Sequence, residues 1–181
     1  TERLMRTTLD PQDPAAFHQL LAVVAEHYPS VGVAYLWPTA AVPDTADILA
    51  QTLTLCSGLL HLTQALADSP LSARLWIVTN ACHAITGEEA TDQVGAQSAT
   101  GALWGLGRTI SQELPTLNCM AIDLAGTAPD ADAGHLQQEL TSGNTFGPEP
   151  LAGQVAYRAG QRYGARLQHW SAPAVAKAFT L

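Results

Sequence analysis

The chain has 181 residues, 47% hydrophobic and only 13% charged, with 16 acidic residues against 8 basic ones and a net charge of -8. That length supports one domain with a substantial core. The negative balance excludes the clustered positive charge that nucleic acid or an anionic membrane surface requires. A charged fraction about half the ~25% usual for soluble domains marks a piece that packs against something else.

No apolar run approaches the ~20 residues needed to span a bilayer. The stretch Thr1 to Asp10 carries no signal-peptide pattern. Cys56, Cys82 and Cys119 are few, odd in number and widely spaced, which fits inert reduced thiols in a cytoplasmic protein.

Asp13-Pro14 reads as a helix start, with Asp13 capping and Pro14 at the first position. Phe17, Leu20, Leu21 and Val24 then recur at helical spacing and stop before Pro29. The run Val31 to Trp37, closed by Pro38, predicts a strand buried on both faces.

Asp44 to Ala67 is the longest predicted helix. Its stripe is Ile48, Thr52, Leu55, Leu59, Leu62 and Leu66, widened by Leu49, Leu53, Cys56 and Leu60. So broad a face suits a helix covering a sheet. Leu75 to Thr79 predicts a second buried strand, and Ala81 to Ile85 a further short extended piece. Gly87 to Gln97 reads as a polar loop.

The helix predicted over Ser98 to Leu114 presents Trp104, Leu106 and Ile110 to a sheet. Gly101 and Gly105, four apart, predict a close approach of another backbone. Asn118 to Leu124 is a third strand; Ala131 to Thr141 is a weaker helix with Gly143 as its stop. Val155 to Arg158, Ala159-Gly160 and Gln161 to Leu167 form a hairpin signal, with Arg162 and Arg166 on one face. Alternating strands and helices imply a parallel, helix-covered sheet.

Known catalytic patterns are missing. Gly105 and Gly107 begin a dinucleotide fingerprint, but Ile110 occupies the third glycine position and the strand at Leu75 to Thr79 lies too far upstream. The six histidines show no metal-ligand spacing, and no G-x-S-x-G elbow is present. Cys82 and His83 are adjacent on an extended segment and would point to opposite faces. None of Tyr28, Tyr35, Tyr157 and Tyr163 is followed four residues later by Lys or Asn, as a short-chain reductase tyrosine would be. The arginines Arg158, Arg162 and Arg166 read as a solvated or ion-paired strand edge in preference to a phosphate site.

Three stretches together resemble one family. They are Leu75-Trp76-Ile77-Val78-Thr79; Leu103-Trp104-Gly105-Leu106-Gly107-Arg108 with Glu113-Leu114-Pro115 and Ile122-Asp123-Leu124; and Val155-Ala156-Tyr157-Arg158 with Gly160-Gln161-Arg162-Tyr163 and Arg166-Leu167. Their order and spacing are similar to the N-terminal half of the ketoreductase region of modular polyketide synthases, although Asn80 and Leu114 stand where that family often has arginine and histidine.

The resemblance implies an α/β fold: a truncated Rossmann-like, mostly parallel sheet covered by helices, with a C-terminal β-hairpin. It implies a structural subdomain over residues 1–170 and a linker over residues 171–181. It implies no catalytic, cofactor-binding or metal residue in this chain, with NADPH held only by a downstream catalytic half. The expected partner is that catalytic subdomain, or an inserted methyltransferase or enoylreductase domain, in the same polypeptide. An active ketoreductase half and a pseudo-ketoreductase half both fit, and a free-standing nucleotide-binding α/β enzyme is the alternative of another class. Tyr157, Arg158, Arg162 and Tyr163 are the candidate interface residues, because tyrosine and arginine are enriched where proteins dock.

Overall fold

The computed structural model describes residues 6–39, 47–85, 98–142, 153–167 and 169. In chain order the elements are α1 (Pro14–Ala25), β1 (Ser30–Tyr35), α2 (Ile48–Asp68), β2 (Ser72–Asn80), α3 (Ser98–Glu113), β3 (Met120–Leu124), α4 (Pro129–Thr141), β4 (Gln154–Arg158) and β5 (Gln161–Gly164). The strands form one sheet in the order β1-β2-β3-β4-β5, parallel except for the antiparallel β4–β5 hairpin.

The helix starts follow local chemistry. The Asp13 carboxylate accepts from the Ala15 amide with Pro14 in the first turn, and the Asp47 carboxylate accepts from the Leu49 and Ala50 amides. The hairpin turns on Ala159 at φ 48° and Gly160 at φ 74°, the pair of positive angles that a two-residue turn needs to match strand twist.

Alternation along β2 divides the core. Leu75 and Ile77 face α1, α2 and α3, joining Phe17, Leu21, Leu55, Leu59, Leu66, Leu103 and Ile110. Trp76 and Val78 face the other way, joining Met120, Ile122, Val155 and Tyr157 beneath Leu136 and Leu140 of α4.

Several expectations need correction. The first strand is an edge strand, exposed or half-exposed from Ser30 to Ala34 rather than buried on both faces, and it ends at the buried Tyr35. Trp37 and Pro38 open a short 3₁₀ turn, because Pro38 lacks the amide a strand would use. The Ala81 to Ile85 segment is not a strand; its backbone turns away at Ala81, φ 47°. Only the inner stripe of α2 is buried: Ile48, Leu49, Leu53 and Leu60 are 56%, 65%, 58% and 44% exposed.

Gly105 is not a close-approach glycine, since a Cβ built there meets nothing within 4 Å. The glycine of α3 with no room for a side chain is Gly107, where an added Cβ would lie 2.9 Å from the Ile77 side chain at Cδ1 rather than against a backbone. The hairpin's second strand ends at Gly164, so Arg166 lies beyond it. The expected loop at Gly87 to Gln97, the stop at Gly143 and the 171–181 linker lie outside the described residues.

Candidate functional site

Open parallel sheets bind ligands in the crevice at the carboxyl ends of their strands. In this chain Thr79 of β2, Asp123 of β3 and Arg158 of β4 reach that crevice on the α3 side of the sheet. The β2–β3 register sets Thr79 opposite Asp123. Thr79 and Asp123 are fully buried, and Arg158 is 8% exposed.

Asp123 is the hub. Its Oδ1 accepts from the Thr79 hydroxyl at 2.6 Å and the Cys82 amide at 2.9 Å. Its Oδ2 accepts from the His83 amide at 3.1 Å and the Arg158 guanidinium at 2.6 Å. Arg158 also donates to the carbonyls of Asp123, Tyr157 and His83. Trp104 Nε1 donates to Thr79 Oγ1 at 3.1 Å, and the His83 ring meets the Trp104 ring edge-on.

Three strand ends, the segment after β2 and helix α3 are thereby tied to one carboxylate. Burial pushes the Cys82 thiol up, so it is not a nucleophile poised as thiolate. Burial pulls the His83 imidazole down, only partly opposed by the Asp123 charge, which leaves it uncharged near neutral pH.

The strand-to-helix turn after β3 is filled as well. In nucleotide folds such a turn offers free amides to a phosphate. Here the Asp132 carboxylate, from the first turn of α4, accepts from the Ala125 and Gly126 amides at 3.3 and 2.9 Å. The chain's own carboxylate thereby pairs both amides of this turn. No group of three or more histidine, cysteine or carboxylate residues could hold a metal ion among the described residues.

A second buried cluster holds the hairpin to α4. Glu139 is 2% exposed. Its Oε1 accepts from the Tyr157 hydroxyl at 2.6 Å and from Arg162 Nε at 2.5 Å. The His135 ring stacks on Tyr157 at 4.2 Å. Burial alone would raise the Glu139 carboxyl, but hydrogen bonds from Arg162 and Tyr157 hold it below its ordinary value. Burial and the neighbouring Glu139 push the Tyr157 phenol up to about 12.

Of the four candidate interface residues, the structure thus brings three into internal networks. Tyr157 and Arg158 are buried. Arg162 pairs with Glu139 while keeping 41% of its side chain exposed. Tyr163 lies on β5 with its hydroxyl bonded to Gln161. The residues that organise the crevice, Thr79, Asp123 and Asp132, were not singled out from the sequence. The available signal was a lone carboxylate in the middle of Met120-Ala121-Ile122-Asp123-Leu124, which cannot be buried without partners.

Comparison with solved structures places this geometry. A structure of A-type ketoreductases from a modular polyketide synthase aligns with a TM-score of 0.68 and 32% identity over 91% of this chain. An A1-type ketoreductase aligns equally well, with a TM-score of 0.68 and 32% identity over 92% of this chain. In both, the chain spans only 32% of the longer protein. The fold is shared with a multidomain structure containing adenylation, ketoreductase and pseudo Asub domains of a keto acid-selecting NRPS module, at 14% identity and a TM-score of 0.62 over 87% of this chain and 13% of that one.

Residues 3–167 match the family described as polyketide synthase extender module SpnB, Rossmann fold domain. With its helix-flanked parallel sheet and this match over most of its length, the chain belongs to the Rossmann-fold domain family of polyketide synthase extender modules.

Proposed function

We propose that this chain is a non-catalytic structural half of a polyketide synthase ketoreductase region, whose work is to hold an adjacent NADPH-dependent catalytic half in place. The observation that carries this reading is the outer face of α2. It exposes Ile48, Leu49, Leu53 and Leu60, and from Ile48 to Ala67 the helix has no Asp, Glu, Lys or Arg. An uncharged leucine face of that length is a cost in water and a gain against a permanent partner.

Helix α3 lies beside α2, with Thr52 Oγ1 3.4 Å from the Ala99 carbonyl. Its outer side offers Ala102 and Gly105, both exposed. Gly105 has open space above it, so this chain's own packing does not explain a residue that costs about 1 kcal/mol of helix propensity. A helix of the neighbouring half approaching that face would. Arg162 and Tyr163 add the directed polar contacts of a rim, while Tyr157 and Arg158 support the hairpin from inside.

The absence of chemistry in this half is supported by the filled crevice. A dinucleotide would have to displace the Arg158–Asp123 pair and compete with Asp132 for the Ala125 and Gly126 amides. The residues present do not fit NADPH, and titration of the chain with NADPH should give no saturable micromolar binding.

The test of the scaffold role is reconstitution. This chain and the catalytic half are expressed separately, and their association and ketone reduction are measured. Leu53→Asp and Gly105→Leu should weaken association at least tenfold while this half still folds, with a melting temperature at or above wild type for Gly105→Leu. Arg162→Ala and Tyr163→Ala should have a smaller effect of the same sign. Undiminished association with Leu53→Asp would refute the α2 face as the docking surface.

A further inference from the structure

The two edges of the sheet differ in kind. The β5 edge is four residues long, carries Arg162 and is largely exposed. Short length and charge are the ordinary means by which a protein keeps an edge from pairing. The β1 edge has neither. Ser30-Val31-Gly32-Val33-Ala34-Tyr35 contains no charge and no proline, and it pairs in unbroken register with β2 on its inner side alone. Among the described strands nothing pairs on its outer side.

The surroundings of β1 are also unfinished. Val31 and Val33 pack only in part against the α1–α2 core. A half-open groove of about 490 Å³ runs between α1 and the segment before it, lined by Leu9, Leu20, Val23, Val24 and Tyr28. Tyr28 stands two residues before β1 and is 54% exposed; Val23 is 43% exposed. The groove reaches Tyr28, two residues before β1 begins, so the α1–β1 connection borders both it and the open strand. A strand laid beside β1 would satisfy the open backbone row with its amides and carbonyls and fill the groove with alternate side chains.

We propose that the outer edge of β1 receives a further strand, supplied in cis by a part of the synthase polypeptide outside these 181 residues. The donor is an uncharged extended segment whose inward side chains are aliphatic or aromatic. A donor in cis is favoured over a second copy because the solved ketoreductases that match this chain have about two thirds of their length outside the matched region. This rests on the reading of the chain as one part of a ketoreductase region, but not on the α2 face as its docking surface.

The test is amide hydrogen exchange across Ser30–Tyr35, in the 181-residue chain and in the intact synthase polypeptide. In the intact polypeptide all β1 amides should be protected to the level of β2. In the 181-residue chain the outward-facing half should exchange at least a hundredfold faster. Free exchange of those amides in the intact polypeptide would overturn the proposal. So would protection in the 181-residue chain that rises with its concentration, which would make the donor a second copy. Leu53→Asp in the intact polypeptide separates this inference from the scaffold reading. Because Leu53 is 58% exposed, the fold survives; β1 protection should persist even where docking through α2 is lost. Loss of β1 protection with that variant would show that helix docking, not an added strand, covers the edge.

Discussion

Replacing Asp123 by asparagine tests the account of the strand-end crevice most directly. The carboxylate accepts four donors, two on each oxygen. An amide cannot serve them. With its NH₂ toward Arg158 and the His83 amide, two donors meet two donors. Flipped, the NH₂ meets Thr79 Oγ1, whose hydroxyl can rotate to accept, and the Cys82 amide, which cannot. The flipped state is the better of the two, yet it still leaves Arg158 without its counter-charge and Cys82 with an orphaned amide.

Removing one partner of a buried ion pair costs about 3–5 kcal/mol, and a buried orphaned amide about 1–3. Because the two losses share one relaxation, a total of about 4–6 kcal/mol is expected, against a whole-domain stability of about 5–15. Urea unfolding followed by tryptophan fluorescence measures this. Thr79→Val, which strips one donor from Asp123 and orphans Trp104 Nε1, should fall between wild type and Asp123→Asn, with a loss of about 1–3 kcal/mol. A loss below about 1 kcal/mol for Asp123→Asn would show that the carboxylate is not the hub of the crevice.

Glu139 makes stability depend on pH. Its folded-state carboxyl lies below the ordinary value, so its contribution is fully present above the unfolded pKa of about 4.3 and is lost as pH falls through the folded value. Glu139→Gln should therefore cost about 1–3 kcal/mol at pH 7 and flatten the acid limb below about pH 4.3, as read from melting temperatures across pH. The two glycines of α3 should respond oppositely to alanine. Gly105→Ala meets open space and gains up to about 1 kcal/mol of helix propensity, raising the melting temperature. Gly107→Ala sets its Cβ 2.9 Å from the buried Ile77 Cδ1, and overpacking of about 1–3 kcal/mol offsets or exceeds that gain. Equal shifts in thermal melts would contradict the assignment of Gly107 as the packed position.

Elements governed by local signals were legible in the sequence. Asp13-Pro14 marked the start of α1, the leucine spacing marked α2, and Ala159-Gly160 marked the hairpin turn. What failed was information that periodicity does not carry. Val31 to Tyr35 reads as a strand covered on both sides because nothing in an apolar run states which neighbours are present. Leu49, Leu53 and Leu60 look like core for the same reason. The spacing of Gly101 and Gly105 predicts a backbone contact, yet the tight position is Gly107 against Ile77, on a helix seated by buried Leu103 and Ile110 and by Trp104 bonding to Thr79. Tyr157 and Arg158 are interface candidates by residue type; the register of β4 sends both inward, where Glu139 and Asp123 accept from them. The strand-end network was not legible, because its members are single residues on three separate strands.

The manner in which the crevice is filled bears on how such a domain can change over time. The groups that occupy it come from β2, β3, β4 and α3, and all depend on Asp123. Any change that opened this end of the sheet would begin with loss of Arg158 or Asp123, and that step unseats the others before any new contact can form. Glycine substitutions alone would not open it, since Asp132 still holds the Ala125 and Gly126 amides. Each intermediate along the way is less stable than the starting point. The closure acts as a ratchet: the domain is free to drift on its surfaces, but the strand-end network does not come apart by tolerated single steps.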